Sequence, residues 1–139
     1  MNPVEQFEIE LMKLNPEGDQ FYLQVDELLE SVSQELYEAL IPSIFSFFES
    51  HPIENCGMPG TLVHLVEDFY PNYKSILLQS LAKAPSYNAI LMVNRILNSK
   101  LSKQDREEYI STLVEIRDNQ EIKPELRKDA EEYIDYQSN

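Results

Sequence analysis

Two stretches decide the fold: residues 57–69, GMPGTLVHLVEDF, and residues 86–99, SYNAILMVNRILNS. In the first, Leu62, Val63, Leu65, Val66 and Phe69 follow Gly60 or Thr61 and cover almost every side of a helix, which predicts a central one. In the second, Ala89, Ile90, Val93, Ile96 and Leu97 give a helix from Tyr87 to Asn98 a wide apolar face. His64, Glu67, Asn94, Arg95 and Asn98 are embedded in these runs, and polar groups in such surroundings need partners. Arg95 is the only base between Lys83 and Lys100, so Glu67 or Asp68 is its expected counter-ion. The sequence thus predicts a structural polar cluster of His64, Glu67, Asn94 and Arg95 that sets the register of the two helices.

Outward from these stretches, prolines mark the joints. A first helix is expected over 3–14, with Pro3 in its opening turn and Phe7, Leu11 and Leu14 at helical spacing. A second is expected from Asp19, as N-cap, to Leu40, with Phe21, Val25, Leu28, Val32, Leu36 and Ala39 as its stripe. On such a helix Glu27, Glu30, Gln34 and Glu38 would fall within about 80° of one another, forming an acidic ridge without a base. Ile41-Pro42 breaks the pattern, and Ile44, Phe45, Phe47 and Phe48 follow in a short apolar helix whose aromatics belong either to the core or to an exposed binding patch. After the 52–59 loop and the first central helix, Tyr70-Pro71-Asn72 precedes two expected antiparallel pairs, 72–84 with 86–98 and 103–118 with 124–136, Ser102 capping the third of these. The prediction is an all-α single domain over 1–139, with seven to eight helices in a HEAT-like or irregular bundle arrangement.

The charge is uneven. Of a net -14, residues 1–50 carry eleven Asp/Glu against one lysine, whereas 100–139 carry eleven against seven bases. Such a surface repels nucleic acid and anionic lipid and accelerates encounter with a basic protein, although acidity also serves solubility alone. No apolar run approaches the roughly twenty residues that cross a bilayer. A lone Cys56 and the lack of a secretory signal pattern lead us to expect a reducing cytoplasm.

Catalytic and metal signatures are weak. His64 stands three residues before Glu67, the geometry of an acid/base pair, but no nucleophile follows a recognised spacing, and a bond holding the 57–60 loop is the simpler role. His51, Cys56 and His64, with Glu54 or Glu67, would be an untypically spaced zinc set. GMPG lacks the Gly-Lys-Ser/Thr ending of a phosphate loop, so its glycines point to close approach or positive φ at a helix entrance. No enzyme activity, cofactor or metal is expected.

The 57–99 block, with GMPGTLVHLVEDF followed by SYNAILMVNRILNS, resembles the small all-helical immunity proteins of bacterial contact-dependent inhibition and related polymorphic toxin systems. That resemblance implies a cytoplasmic protein that binds and neutralises a cognate toxin domain, a basic nuclease, by electrostatic occlusion of its active site. The residues expected to meet such a partner are Glu27, Glu30, Glu35, Glu38, Asp68 and Tyr70, with Tyr22 and Tyr37 as further aromatic anchors. An acidic adaptor or regulatory subunit of another complex is the alternative, and a hydrolase built on His64 and Glu67 a third. The sequence leaves the oligomeric state open.

Overall fold

The computed structural model describes residues 1–56 and 60–138, and among them there are eight α-helices and no strand. Helix α1 (Pro3–Met12) is capped by Asn2, whose Oδ1 accepts the Glu5 N–H at 2.8 Å, and it buries Phe7 and Leu11. Two turns of α2 (Phe21–Glu30) follow the same logic with Phe21, Val25 and Leu29 inward.

The long helix expected over 19–40 does not form. Residues 15–20 are coiled into consecutive turns, with Gly18 N–H and Phe21 N–H donating to Asn15 and Gly18 carbonyls, so Asp19 caps nothing and the helix begins at Phe21. At its far end the Ser31 hydroxyl donates to the Leu28 carbonyl at 2.6 Å and Ser33 is extended, at φ -62° and ψ 135°. Serine hydroxyls compete in this way for backbone partners and favour helix ends. The chain continues as two 3₁₀ turns, Gln34–Leu36 and Glu38–Leu40, and the Tyr37 hydroxyl closes the break by donating to the Leu29 carbonyl at 3.0 Å. The continuous ridge is therefore interrupted: Glu27 and Glu30 remain on α2, while Glu35 and Glu38 sit on the turns, all four exposed.

Pro42 occupies the first turn of α3 (Ile41–Ser50), where its missing N–H costs no helical bond. Ile41, Ile44, Phe45, Phe47 and Phe48 are buried, which places the phenylalanine cluster in the core rather than on a binding patch. Phe47 stacks on Phe21 of α2 at 5.8 Å between ring centroids and meets the His51 ring at 4.5 Å. Helix α4 (Thr61–Glu67) packs against α2 and leaves His64 exposed, so the central place expected for it belongs to α3. Seven residues with His64 and Glu67 on one face are too few to be enclosed all round.

The second half follows the expected pairing. Helices α5 (Lys74–Lys83) and α6 (Tyr87–Leu97) are joined by three residues, and Tyr73 at the start of α5 lies beside Arg95 and Ile96 at the end of α6. No residue of α6 is exposed. Ser86 and Ser102 cap α6 and α7 (Lys103–Asp118), accepting from Ala89 and Asp105 N–H at 3.2 and 3.0 Å. Helix α8 (Pro124–Ser138) returns antiparallel to α7: Arg127 donates to the Arg117 carbonyl at one end and Arg106 to the Gln137 carbonyl at the other. Helix α3 lies between α1 on one side and the α5–α6 pair on the other, and α7 and α8 close the far end over α6. None of the described helices is long and apolar enough to cross a membrane.

Candidate functional site

Helix α4 and the turn after it bring His64, Glu67, Asp68 and Tyr70 together. Glu67 faces α6, where Arg95 projects from the last turn, and the guanidinium grips the carboxylate with two bonds, Nε to Oε2 at 2.5 Å and Nη2 to Oε1 at 3.0 Å. That bond raises the Arg95 pKa above its ordinary value against an opposing effect of burial. The His64 ring lies farther off, Nδ1 3.5 Å from Oε1, and its side chain is 60% exposed. Both Glu67 carboxylate oxygens are engaged by the guanidinium, so the carboxylate is oriented by Arg95 rather than by the imidazole. The expected His64 contact to the 57–60 loop falls largely on residues 57–59, outside the described residues.

Asn94 is not part of this cluster. One turn of α6 carries it and Asn98 toward α8, where both accept from the Gln137 amide at 2.8 Å, while Arg106 donates to the Leu97 carbonyl. Gln137 and Arg106 thereby tie the end of α8 to the end of α6. The sequence flagged Asn94 and Asn98 as needing partners on one face, but nothing marked Gln137, in an exposed-looking acidic tail, as the donor.

Around the ion pair, Tyr70, Tyr73, Arg95, Ile96 and Ser99 line a shallow hollow of about 140 Å³. Tyr73 is buried there, and burial pushes its phenol pKa up. Tyr70 stands edge-on to Tyr73 and is 42% exposed as a residue. Asn72, two residues after Tyr70, donates to Glu38 Oε2 at 3.3 Å and so ties the 3₁₀ turn of Glu38 to the segment that follows α4. Glu27 and Glu30 are placed on α2, which packs against α4 through its opening turns, with the Thr61 hydroxyl donating to Asp26 at 3.0 Å.

Charge is segregated more sharply than the sequence windows suggest. Residues 1–73 hold fourteen Asp/Glu against the single Lys13, while 74–139 hold eleven against ten Lys/Arg. Lys13 itself pairs with Glu10 at 3.1 Å. The same segment holds seven of the eight exposed large apolar side chains among the described residues: Met1, Ile9, Met12, Tyr22, Leu23, Ile53 and Tyr70.

Cys56 is buried at a left-handed φ of 53°, and burial pushes its thiol up to about 12, so it stays protonated at neutral pH. The positive φ expected of the loop glycines is at Cys56; Gly60 has φ -32°, and Gly57 lies outside the described residues. Among the described residues no group of three His, Cys, Asp or Glu side chains is placed to hold a metal ion, and the set of His51, Cys56 and His64 is not assembled. Searched for likeness, the chain matches no protein-family model, no curated protein and no solved structure.

Proposed function

We propose that this protein is a binding protein for a basic macromolecule, and specifically an immunity protein that neutralises a cognate toxin domain by covering its active site. The observation that carries this reading is the coincidence of unbalanced acidity and exposed apolar side chains within residues 1–73. Acidity that served solubility alone would have no reason to accompany Tyr22, Leu23, Ile53 and Tyr70 on the surface. Together they make the two components of a tight interface, charge for rapid encounter and desolvated aromatics for slow release. Glu27, Glu30, Glu35, Glu38 and Asp68 would stand where nucleic-acid phosphates otherwise meet the lysines and arginines of a nuclease, and Tyr70 would pack among them.

Inhibition by occlusion requires no turnover. The engagement of Glu67 by Arg95 and the protonated Cys56 thiol agree with a binding role rather than a hydrolytic one. A cytoplasmic location belongs to the same proposal. The test is capture of the partner by tagged protein from the native organism, followed by expression of the captured partner alone and together with this chain. The proposal expects a basic partner that arrests growth alone and is harmless in co-expression. A partner that is harmless by itself would overturn immunity and leave an acidic adaptor.

A further inference from the structure

Arg106 closes two helices at once. It stands one turn into α7, near the positive end of that helix, where a base is unfavourable unless other groups hold it. Its Nη1 donates to the Leu97 carbonyl at 3.2 Å and its Nη2 to the Gln137 carbonyl at 3.0 Å. One guanidinium thus satisfies carbonyls in the last turns of both α6 and α8, which have no partner within their own helices. Helix α8 has no base of its own in its last turn. Glu131, Glu132 and Asp135 add exposed carboxylates toward the negative end of its dipole, partly offset by Arg117 and Lys128.

Beyond Ala130 apolar contact is thin as well. None of residues 131–138 is buried, and Tyr133 and Ile134 pack only partly against the core. One side-chain amide supplies much of the remaining hold: Gln137 Oε1 accepts from Arg106 Nη2 at 3.3 Å, and Nε2 donates to Asn94 and Asn98 at the end of α6, each at 2.8 Å. A segment with few buried apolar contacts and a handful of polar ties is the kind that opens locally, ahead of the whole fold.

We propose that residues 133–138 are a strap that opens as a unit while the rest of the chain stays folded, that Arg106 and Gln137 are its clasp, and that its opening loosens the last turn of α6. That turn has two attachments. Asn94 and Asn98 face the strap, and Arg95, next to Asn94 in the chain, holds Glu67 of α4. When the strap lifts, Asn94 and Asn98 lose their shared donor, and Arg106 loses one of the two helix ends that fix it. The strap is then a two-state element through which the end of α8 reaches the Glu67–Arg95 pair. This goes beyond the proposed function and is independent of any partner.

The test is hydrogen exchange of the ¹⁵N-labelled full-length protein alone, followed amide by amide at several low urea concentrations. The amides of residues 135–138 should share one protection factor, lower than that of Phe45–Phe48 by about a hundredfold or more, with little dependence on urea because a local opening exposes little surface. The Asn98 and Ser99 amides, bonded to the Asn94 and Ile96 carbonyls, should show the same small dependence. Gln137→Ala should lower protection at both places about tenfold, as loss of its side-chain bonds implies, although alanine strengthens the helix itself. Arg106→Met should act on the same amides, and Gln120→Ala, at the opposite end of α8, on neither group. Protection that falls evenly from Tyr133 to Ser138, as in simple fraying, would overturn the proposal. So would strap amides with the steep urea dependence of Phe45–Phe48, or Asn98 and Ser99 amides unmoved by Gln137→Ala.

Discussion

Breaking the Glu67–Arg95 pair one side at a time, and then together, measures what joins α4 to α6. The pair is bidentate, yet the Arg95 and Glu67 side chains are 37% and 21% exposed, so water screens part of the attraction. Fully exposed pairs couple by about 0.2–1 kcal/mol and well-placed charge-assisted bonds contribute about 1.5–3, which sets the expected coupling near 1–1.5 kcal/mol. Arg95→Met leaves Glu67 half-buried with only the distant His64, and Glu67→Gln leaves a guanidinium that can rehydrate in part; each should cost about 1–2 kcal/mol. At this chain length that is a drop in Tm of roughly 3–8 °C. The double variant should cost less than the sum of the singles by the coupling energy. Urea titrations of the four proteins supply the cycle. A coupling below about 0.3 kcal/mol, or an Arg95→Met protein as stable as wild type, would refute the view that this pair sets the register.

Three further outcomes follow from the packing and the charges. Phe47→Ala removes a fully buried ring from between Phe21 and His51 and should cost about 3–5 kcal/mol, read as a shift of the urea midpoint with m unchanged. Ser102→Ala deletes the α7 cap and should cost about 1 kcal/mol, with Ser102→Gly closer to wild type. Asp129 is raised above its ordinary 3.8, first by burial and then by neighbouring carboxylates, so the fold prefers it protonated. Its stabilising contribution is complete below 3.8 and is lost as pH rises through the raised folded value, which makes Asp129→Asn more stable than wild type at pH 7 and no different near pH 3. Thermal melts at the two pH values check the sign.

Much of the second half is legible in the chain because each signal there is local. Pro85, Ser86, Ser102 and Pro124 mark ends, short joints force neighbours together, and the caps at Ser86 and Ser102 form as their spacing dictates. The 19–40 segment misleads for a physical reason. Val32 still points into the core and Leu36 is half-buried, so the apolar rhythm persists through tight turns that only the Ser31 hydroxyl and the Tyr37 bond reveal. At the site, Arg95 could be paired from sequence because a single base in an apolar helix has few possible acids. Asn94 could not, since its donor is 43 residues away.

The central claim is that residues 1–73 guide and hold a basic partner. Its most direct test is the association rate of the captured partner across ionic strength for three proteins: wild type, a variant with Glu27, Glu30, Glu35 and Glu38 changed to Gln, and a control with Glu115, Glu121, Glu125 and Glu131 changed to Gln. Both variants lose the same four exposed charges and differ only in where. The account predicts that the first associates about tenfold more slowly than wild type at low salt, that the control changes less than about twofold, and that the rates converge near 1 M salt. Equal slowing in both variants, or a wild-type rate indifferent to salt, would contradict it.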